Sequence, residues 1–538
     1  MSRGLRVSCA PALLLSVLLP STASSQIGPS HWRADERVVI TDFQRVTALA
    51  RASDRLFAAT DGGLVVRNEA FGRWELPVTV EDGYPVSRVI ALAWDRRDGT
   101  LWLSTADARL LQLEPRDKRF LDEIRLTDPL RRIIPSDQDP SALLVQRGSR
   151  WYSLDPFSRQ LSPVGRDAAD RAVAADFFLR ERRQLLTSSR FDASRAFIAS
   201  RGSRRFQVTD AMPAAQLGEF WIASYGGFLF RYDAFSGQSE PVDYGLVGER
   251  GGTVLADSSG VWFAPGEAVD RYAISRADPE LEVWQVWDAE GTGLIDRNVP
   301  ADPVHAMLEV GGQLWVGGDR GLYRFDGSTW HREARAQLGA GARVLSLSAG
   351  PEGLGGVWAG TDRGLYRLPG PGLSADPPRL GARRITALAS HAGRLWVGTD
   401  RGLTAYAGGA GGGPETAAAD IPPGRVWSMK SLDNRLYVAI DRDVWWLEDD
   451  AWVRADALGV LVAPATALDA RDDVVWIGSD DGLTVWNTVS GEQTRYSFSA
   501  GDLPTGARGE IGVTSVSVIG PDAAWLMTPA GAIRMNVY

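Results

Sequence analysis

Short apolar stretches broken by polar turns recur along the chain. The clearest reads Leu-Trp-Val-Gly-Thr-Asp-Arg-Gly-Leu at residues 395–403, and close copies occupy residues 314–322, 357–365 and 475–483. Alternate side chains of an extended strand share a face, so Trp396 and Gly398 point one way while Leu395 and Val397 point the other. Both faces are apolar or small. The pattern therefore predicts strands that are buried between two other sheets.

In each copy a tryptophan is followed two positions later by a glycine. The four pairs are Trp315 and Gly317, Trp358 and Gly360, Trp396 and Gly398, and Trp476 and Gly478. A large indole beside a missing side chain predicts that neighbouring sheets interdigitate closely, so we assign these residues a structural role in the repeat.

The sequence around each copy predicts a unit of four antiparallel strands. The Asp-x-Gly end of the phrase is typical of a tight turn into a third strand, because glycine accepts a positive φ. A Val-x-x-Leu strand precedes the phrase, as at residues 46–49 and 344–347, and a more polar strand with an aromatic residue follows, as at Trp330 and Trp452. Such a repeat is typical of a β-propeller blade.

The repeat spacing predicts the domain organisation. It indicates about eleven or twelve blades, whereas one propeller typically holds about 4–8. We therefore predict an all-β fold of tandem β-propellers, with a first ring at residues 26–280 and a second at 281–538. Blades at 121–216 are degenerate, and the seam is expected within residues 275–303. A strand from one chain end, 38–40 or 533–538, is expected to close a ring.

Residues 1–25 have the features of an export signal. Arg3 and Arg6 precede the apolar run at residues 10–19, and the small residues Ala23 and Ser25 precede Gln26. The alternative is a retained membrane anchor, but the run is short for a membrane span. We expect a periplasmic or secreted protein without stable membrane insertion.

The cysteine content and the net charge limit which kinds of site and partner are expected. The one cysteine, Cys9, lies in the predicted signal, so the processed chain would have no disulfide, thiolate metal site or cysteine nucleophile. The net charge is −9, and no dense basic stripe with interleaved aromatic residues is present. We therefore expect no nucleic-acid partner. No motif indicates a cofactor.

These motifs resemble the two-component regulator propeller repeat of bacteria. The resemblance rests on residues 395–403, on Gly-Thr-Leu-Trp at 99–102 and on Asp-Gly-Tyr-Pro-Val-Ser-Arg-Val at 82–89. It implies paired propellers of the kind found in periplasmic sensor halves of hybrid histidine kinases and in exported stand-alone proteins. It supplies no catalytic residues. Because no kinase or receiver sequence follows, we expect an exported stand-alone member.

For the other candidate residues, the sequence favours a structural role over metal binding or catalysis. His31, His305, His331 and His391 are scattered without metal-ligand spacing, so we predict no metal site. The turn aspartates Asp319, Asp362, Asp400 and Asp480 recur at a hairpin offset, which favours a turn role over an acid/base pair or calcium ligands. Residues 326–330, Asp-Gly-Ser-Thr-Trp, resemble a fragment of the Asp-box of sialidase propellers but are one residue too short.

Three turn arginines are the candidate ligand-binding residues. Arg320, Arg363 and Arg401 stand at the same offset in consecutive units. Propeller symmetry would arrange them as an arc on one surface, where guanidinium groups can bind carboxylates or sulfates bidentately. The alternative is that each arginine pairs locally or is solvated.

Two classes of function fit this sequence. The first is a non-catalytic scaffold that binds an envelope protein or an anionic glycan. The second is a secreted carbohydrate-active hydrolase or lyase on the same fold, since fold does not determine function. We favour the first, because no histidine, cysteine or carboxylate cluster rises above the repeat. Converging acids in one pocket would favour the second.

Overall fold

A computed structural model describes residues 37–136, 139, 142–176, 191–192, 197–199, 205–248, 251–266, 271–288, 298–338, 341–352, 355–371, 380, 383–407, 414–415 and 424–537. The predicted signal at residues 1–25, which includes Cys9, lies outside these ranges, and so does His31. Strands dominate the described residues. The helices among them are α1 (Arg166–Ala175), α2 (Arg335–Leu338) and two 3-10 turns at Val80–Asp82 and Asp456–Leu458.

The first strand, β1 (Arg37–Ile40), is followed by four sheets. Their strands are β2 (Val46–Arg51), β3 (Arg55–Thr60), β4 (Leu64–Asn68) and β5 (Arg73–Trp74); β6 (Val89–Asp95), β7 (Thr100–Thr105), β8 (Arg109–Glu114) and β9 (Arg119–Arg125); β10 (Leu130–Pro135), β11 (Leu143–Arg147), β12 (Arg150–Asp155) and β13 (Gln160–Pro163); and the six-stranded β14 (Phe191–Asp192), β15 (Phe197–Ala199), β16 (Arg205–Pro213), β17 (Glu219–Tyr225), β18 (Leu229–Asp233) and β19 (Gln238–Pro241).

Seven further sheets complete the described chain. Their strands are β20 (Gly252–Asp257), β21 (Gly260–Pro265), β22 (Ala273–Ala277) and β23 (Trp284–Asp288); β24 (Val304–Val310), β25 (Gln313–Gly318), β26 (Gly321–Phe325) and β27 (Trp330–Glu333); β28 (Val344–Ala349), β29 (Val357–Thr361) and β30 (Gly364–Leu368); β31 (Ile385–His391), β32 (Arg394–Thr399), β33 (Gly402–Ala407) and β34 (Pro414–Glu415); β35 (Val426–Leu432), β36 (Arg435–Ile440), β37 (Asp443–Glu448) and β38 (Ala451–Arg454); β39 (Ala465–Arg471), β40 (Val474–Ser479), β41 (Gly482–Asn487) and β42 (Gln493–Ser497); and β43 (Ser515–Gly520), β44 (Ala523–Thr528) and β45 (Gly531–Asn536) with β1.

All strand pairs within these sheets are antiparallel, as the repeat predicts. The predicted first strands begin at Val46, Val89, Val344 and Ile385, and each opens a sheet. The phrase at 395–403 forms the end of β32, its turn and the start of β33. The all-β propeller fold is thus confirmed. The described residues form eleven sheets, and the total of about eleven or twelve blades stays a prediction.

The first strands of the last seven sheets pack in a closed cycle. β20 contacts β24, and contacts then run in order through β28, β31, β35, β39 and β43, which packs back against β20. Threonine hydroxyls reinforce this contact by donating to the carbonyl of the next sheet, as in Thr466 Oγ1 to Val513 O (2.8 Å) and Thr514 Oγ1 to Gly252 O (2.9 Å). We call these seven sheets, with β1, the C-terminal ring.

The four earlier sheets form the N-terminal ring. β2 packs against β6, and β6 packs against β10. β16 returns to β2, with Thr209 Oγ1 donating to Val46 O (2.8 Å). Arg132 on β10 binds Asp210 on β16.

Two features of the chain correct the division predicted at residue 280. Residues 252–288 pack against β24 and β43, so this sheet belongs to the C-terminal ring. Trp284 and Trp287, placed in the seam by the sequence pattern, lie on β23, the fourth strand of that sheet. β1 is also part of the C-terminal ring, because Val38 pairs with Arg534 on β45. The N-terminal ring is therefore inserted between β1 and β20. A chain-end strand was expected to close a ring, and the C-terminal ring is closed by the pairing of β1 with β45.

A shared apolar core joins the rings. Trp74 lies 4.4 Å from Tyr244 between ring centroids, and Tyr244 lies 5.3 Å from Trp284. The backbone N–H of Trp74 also donates to the carbonyl of Glu282 at 3.0 Å. These contacts join β5 of the N-terminal ring to β23 of the C-terminal ring.

Candidate functional site

The repeat glycines lie where neighbouring sheets touch. A Cβ on Gly317 would be 2.5 Å from Val344 Cγ1, the first residue of the next sheet. The same approach recurs for Gly360 with Ile385 (2.6 Å), Gly398 with Val426 (2.5 Å) and Gly478 with Val513 (2.6 Å). The partner tryptophans Trp315, Trp358, Trp396 and Trp476 are buried. This geometry accounts for the Trp-x-Gly spacing, because any side chain at the glycine would overlap the next strand.

The three candidate arginines lie in turns of one conformation. Each turn joins the second strand of a sheet to its third, and the following glycines have φ of 127°, 129° and 132° at Gly321, Gly364 and Gly402. The side chains of Arg320, Arg363 and Arg401 are exposed. Their sheets are consecutive in the C-terminal ring. We call the surface formed by these turns the arginine face.

Hydrogen bonds hold the backbone of these turns. The N–H groups of Arg363 and Arg401 donate to Thr361 Oγ1 (3.0 Å) and Thr399 Oγ1 (3.1 Å). The N–H of Arg320 donates to the carboxylate of Asp302. The guanidinium groups of Arg320 and Arg401 form no ion pair with any residue that the structure describes. The backbone is thus fixed while these two side chains are available to a partner.

A fourth arginine, Arg442, stands at the same offset and was not predicted as a candidate. Arg442 follows Asp441 in the turn from β36 to β37, but an aspartate stands in place of the glycine, which hid the match. Arg442 Nε donates to Leu461 O at 2.7 Å. This arginine therefore has the local role that was the alternative for the other three.

Two of the turn aspartates, Asp362 and Asp441, accept a hydrogen bond from the residue before the first strand of their own sheet. Asp362 Oδ1 accepts the N–H of Arg343, and Asp441 Oδ1 accepts that of Arg425, both at 3.1 Å. Asp319 accepts hydrogen bonds from His305 Nε2 and Arg343 Nε, both at 2.7 Å. Burial would raise the pKa of Asp319, but these hydrogen bonds outweigh it and lower that pKa.

The other predicted candidates are separate from one another. His331 contacts Asp326 (2.7 Å), and His391 contacts Ser431 (3.0 Å between Nδ1 and Oγ). Asp326 Oδ1 also accepts the N–H of Thr329 at 2.8 Å, so the Asp-box-like fragment forms a hydrogen-bonded turn. Within the described ranges, no group of three or more His, Cys, Asp or Glu side chains is arranged to hold a metal.

One carboxyl pair was not predicted from the sequence. Asp257 ends β20 and Glu309 lies near the end of β24 in the neighbouring sheet. A hydrogen bond with Asp257, with burial and the nearby negative charge, raises the pKa of Glu309 to about 7. Burial would raise the pKa of Asp257, but the hydrogen bond from Glu309 lowers it. The pair was hidden because its members are 52 positions apart, on different repeats.

A cleft of about 870 Å³ lies between the two rings. The N-terminal ring contributes turn residues such as Asp61, Thr79 and Glu81. The C-terminal ring contributes Phe263, Ser275, Met527 and the loop 504–510, whereas β1 contributes Val39. We call this space the inter-ring cleft. No motif marked it, because its walls come from segments more than 400 residues apart in the chain.

The architecture defines a protein of the β-propeller class. Among the described residues, no helix has the length and apolar character needed to cross a membrane. A scan against protein-family models and a search of curated proteins found no match. The resemblance to the regulator propeller repeat therefore stays a prediction.

Solved structures with distant similarity come from B. thetaiotaomicron and Porphyromonas gingivalis. The extracellular domain described as the hybrid two-component system BT3049 of B. thetaiotaomicron is 12% identical with TM-score 0.44, over 91% of this chain and 68% of that one. The extracellular domain of the B. thetaiotaomicron system BT4673 is 12% identical with TM-score 0.42, over 92% and 70%. PorZ, a surface component of the type IX secretion system of Porphyromonas gingivalis, is 11% identical with TM-score 0.35, over 93% and 87%.

Proposed function

We propose that this protein is an exported, non-catalytic scaffold that binds an anionic partner in the cell envelope, an acidic protein or an anionic glycan, on the arginine face. The observation that carries the proposal is the shared geometry of three consecutive turns. Each presents an exposed arginine from a fixed backbone, and the guanidinium groups of Arg320 and Arg401 have no ion pair with a described residue. Export is supported by the signal-like residues 1–25.

Fixed turns favour binding for a physical reason. Ordering flexible chain at an interface costs free energy, and a backbone that is already hydrogen-bonded avoids most of that cost. Arginine also offers a planar set of donors that matches carboxylate, sulfate and phosphate oxygens. Several such groups at repeated spacing suit a polymer that carries repeated negative charges.

The carboxyl pair is the observation that bears on the hydrolase alternative. Glycoside hydrolases of the retaining class hold their two carboxyl groups about 5–5.5 Å apart, and inverting enzymes hold them farther apart. Asp257 and Glu309 are instead hydrogen-bonded to each other. A direct hydrogen bond between the two carboxyl groups matches neither arrangement, which supports the binding function.

The test uses a triple variant and two probes. The chain with Arg320→Ala, Arg363→Ala and Arg401→Ala is compared with the parent for binding to dextran sulfate and poly-glutamate, with neutral dextran as the uncharged reference. We expect the affinity for the anionic probes to fall about tenfold or more. The parent's affinity should also weaken with salt, because exposed charges are screened.

A matched control removes three exposed arginines elsewhere. Arg116, Arg119 and Arg159 lie in or beside turns between third and fourth strands of the N-terminal ring. Replacing them with alanine changes the net charge equally but should leave binding nearly unchanged. Equal losses in both triple variants would indicate a general charge effect and would contradict the arginine face as the site. Hydrolysis of either polymer would contradict the non-catalytic role.

A further inference from the structure

The inter-ring cleft has the size and composition of a small-molecule site. Its volume of about 870 Å³ lies within the range of about 300–1,000 Å³ that is typical of ligand pockets. Its inner wall is mainly apolar, with Val39, Phe263 and Met527. Such a wall suits the apolar part of a ligand. The polar residues that also line the cleft determine which polar or charged groups the ligand can have.

A buried hydroxyl lies in the inner wall. Ser275 is 1% exposed, and its Oγ has no hydrogen-bond partner in the described part of the protein. Ser275 and Ala273 share one face of β22, and both line the cleft, whereas Ile274 between them packs in a different core cluster. Phe263, the cross-strand partner of Ser275, lines the cleft too. Ser275 therefore lies in the strand face that lines the cleft, with its Oγ buried behind the surface, and an unpaired buried hydroxyl is costly unless a ligand or water reaches and satisfies it.

At the rim, one charged side chain is available. Arg508 is exposed, and among described residues its guanidinium has neither an ion pair nor a side-chain hydrogen bond. The rim carboxylates are occupied. Asp61 accepts hydrogen bonds from Arg88 Nε and Tyr225 Oη, both at 3.0 Å, and Glu81 binds Arg37 at 2.7 Å.

Two further acids at the rim are occupied as well. Asp42 accepts the N–H of Gln44 at 2.8 Å, and Glu510 accepts the N–H of Arg508 at 2.9 Å. The remaining rim cation, Arg45, also has a partner. Arg508 is therefore the charged lining residue whose side chain has no described partner, although Asp42 and Glu510 keep their negative charge.

We infer that the inter-ring cleft binds a small amphiphilic anion. The negative group of this ligand pairs with Arg508, its apolar body lies along Phe263 and Met527, and a polar group at its buried end bonds to Ser275. This site is separate from the arginine face and does not depend on it.

The first experiment compares two probes with the same tail and opposite charge. Octanoate and octylammonium are titrated into the full chain by calorimetry, below their aggregation concentrations. We expect one octanoate site and binding of octylammonium about tenfold weaker or less. Arg508→Glu should remove this preference. Absence of saturable octanoate binding, or equal binding of the two ions, would overturn the inference.

The second experiment separates the cleft from other apolar surfaces. Val86 lines the cleft but is 85% exposed, so Val86→Trp obstructs the entrance without altering the core. We expect octanoate to bind about tenfold more weakly to this variant. Val489→Trp, at an exposed turn outside the cleft lining, is the matched control and should bind like the parent. Unchanged binding in Val86→Trp would overturn the site.

The third experiment addresses the hydroxyl. Added to the parent, 8-hydroxyoctanoate should bind more tightly than octanoate, and Ser275→Ala should abolish that difference while leaving octanoate binding nearly unchanged. A difference that persists in Ser275→Ala would contradict the role of Ser275. Thermal unfolding of each variant verifies that it is folded.

Discussion

The four glycine junctions of the C-terminal ring differ from two polar junctions of the N-terminal ring. In the C-terminal ring, Gly317, Gly360, Gly398 and Gly478 let the next strand approach until a β-branched side chain fills the space. In the N-terminal ring, the corresponding position on β7 is Ser104, whose Oγ accepts the N–H of Leu130 in the next sheet at 3.1 Å. Side-chain hydrogen bonds thus replace close van der Waals packing at this junction.

A buried charge completes the polar junctions of the N-terminal ring. Asp210 accepts the N–H of Leu49 on β2 at 3.0 Å and the guanidinium of Arg132 at 3.1 Å. Burial raises the pKa of Asp210, although Arg132 favours its charged form. The difference between these junctions shows that a sheet junction can be built from shape or from polar pairing. Both kinds occur in the C-terminal ring, where Asp469 Oδ2 accepts the N–H of Val518 in the next sheet at 2.7 Å.

The largest expected effect comes from breaking the polar junction. Asp210→Ala leaves the buried N–H of Leu49 without its acceptor and removes the closer of two ion pairs of Arg132, which keeps Asp176 at 3.5 Å; we expect this to cost about 3 kcal/mol. Chemical denaturation measures the free energy of unfolding. Asp117→Ala, at an exposed site, is the control. An equal effect of both variants would show that Asp210 does not hold the ring together.

An overpacked glycine junction tests the other ring. Gly398→Leu places side-chain atoms against Val426 and should cost about 1–3 kcal/mol. Gly165→Leu is a suitable control, because a Cβ there meets no atom within 4 Å. The denaturant midpoint is the measurement. An unchanged midpoint for Gly398→Leu would contradict the packing role.

Converting one junction into the other type sharpens the comparison. Ser104→Gly gives the N-terminal ring the residue of the C-terminal ring but removes the acceptor for Leu130 N–H. We expect a loss of about 1 kcal/mol, similar to that of Ser104→Ala. If Ser104→Gly were as stable as the parent, close approach alone would suffice at this junction.

The smallest effect concerns a polar contact within the C-terminal ring. Because the pKa of Glu309 is raised to about 7, its contribution to stability is present at low pH and is lost as the pH rises through about 7. Glu309→Gln should lessen the fall in Tm between pH 5 and pH 8. The corresponding difference in the free energy of unfolding between Glu309→Gln and the parent should be below about 1 kcal/mol, because the pair is largely exposed. Glu492→Gln should leave the pH dependence of the parent unchanged; a similar effect in both variants would exclude a specific role for Glu309.

Features that recur in the repeats could be predicted from the sequence, whereas contacts that occur only once could not. Trp396, Gly398 and the following turn share one local pattern, so their strands and close packing could be derived from alternation and turn chemistry. Asp210 and Ser275 carry no local pattern, because their roles depend on strands from other repeats. The division at residue 280 failed for the same reason. The packing of β20 against β43 and the pairing of β1 with β45 both join segments from distant parts of the chain.

Part of the candidate site could be predicted from the sequence. The equal offset of Arg320, Arg363 and Arg401 predicted equivalent turns, which the φ values of the following glycines match. The sequence could not show that the Arg442 side chain donates a hydrogen bond to the Leu461 carbonyl. It also could not show that Arg508 lines the inter-ring cleft. Both depend on how distant loops pack.

The most direct test of the architecture is a cross-link between β1 and β45. Val38 and Arg534 are register partners, so Val38→Cys with Arg534→Cys, in a Cys9→Ser background, should form a disulfide on mild oxidation, seen as a shift on a non-reducing gel. Val38→Cys with Arg495→Cys should not form one. Cross-linking of the first pair alone is predicted if β1 completes the C-terminal ring around the inserted N-terminal ring. Failure of that pair, or equal cross-linking of both, would contradict this arrangement.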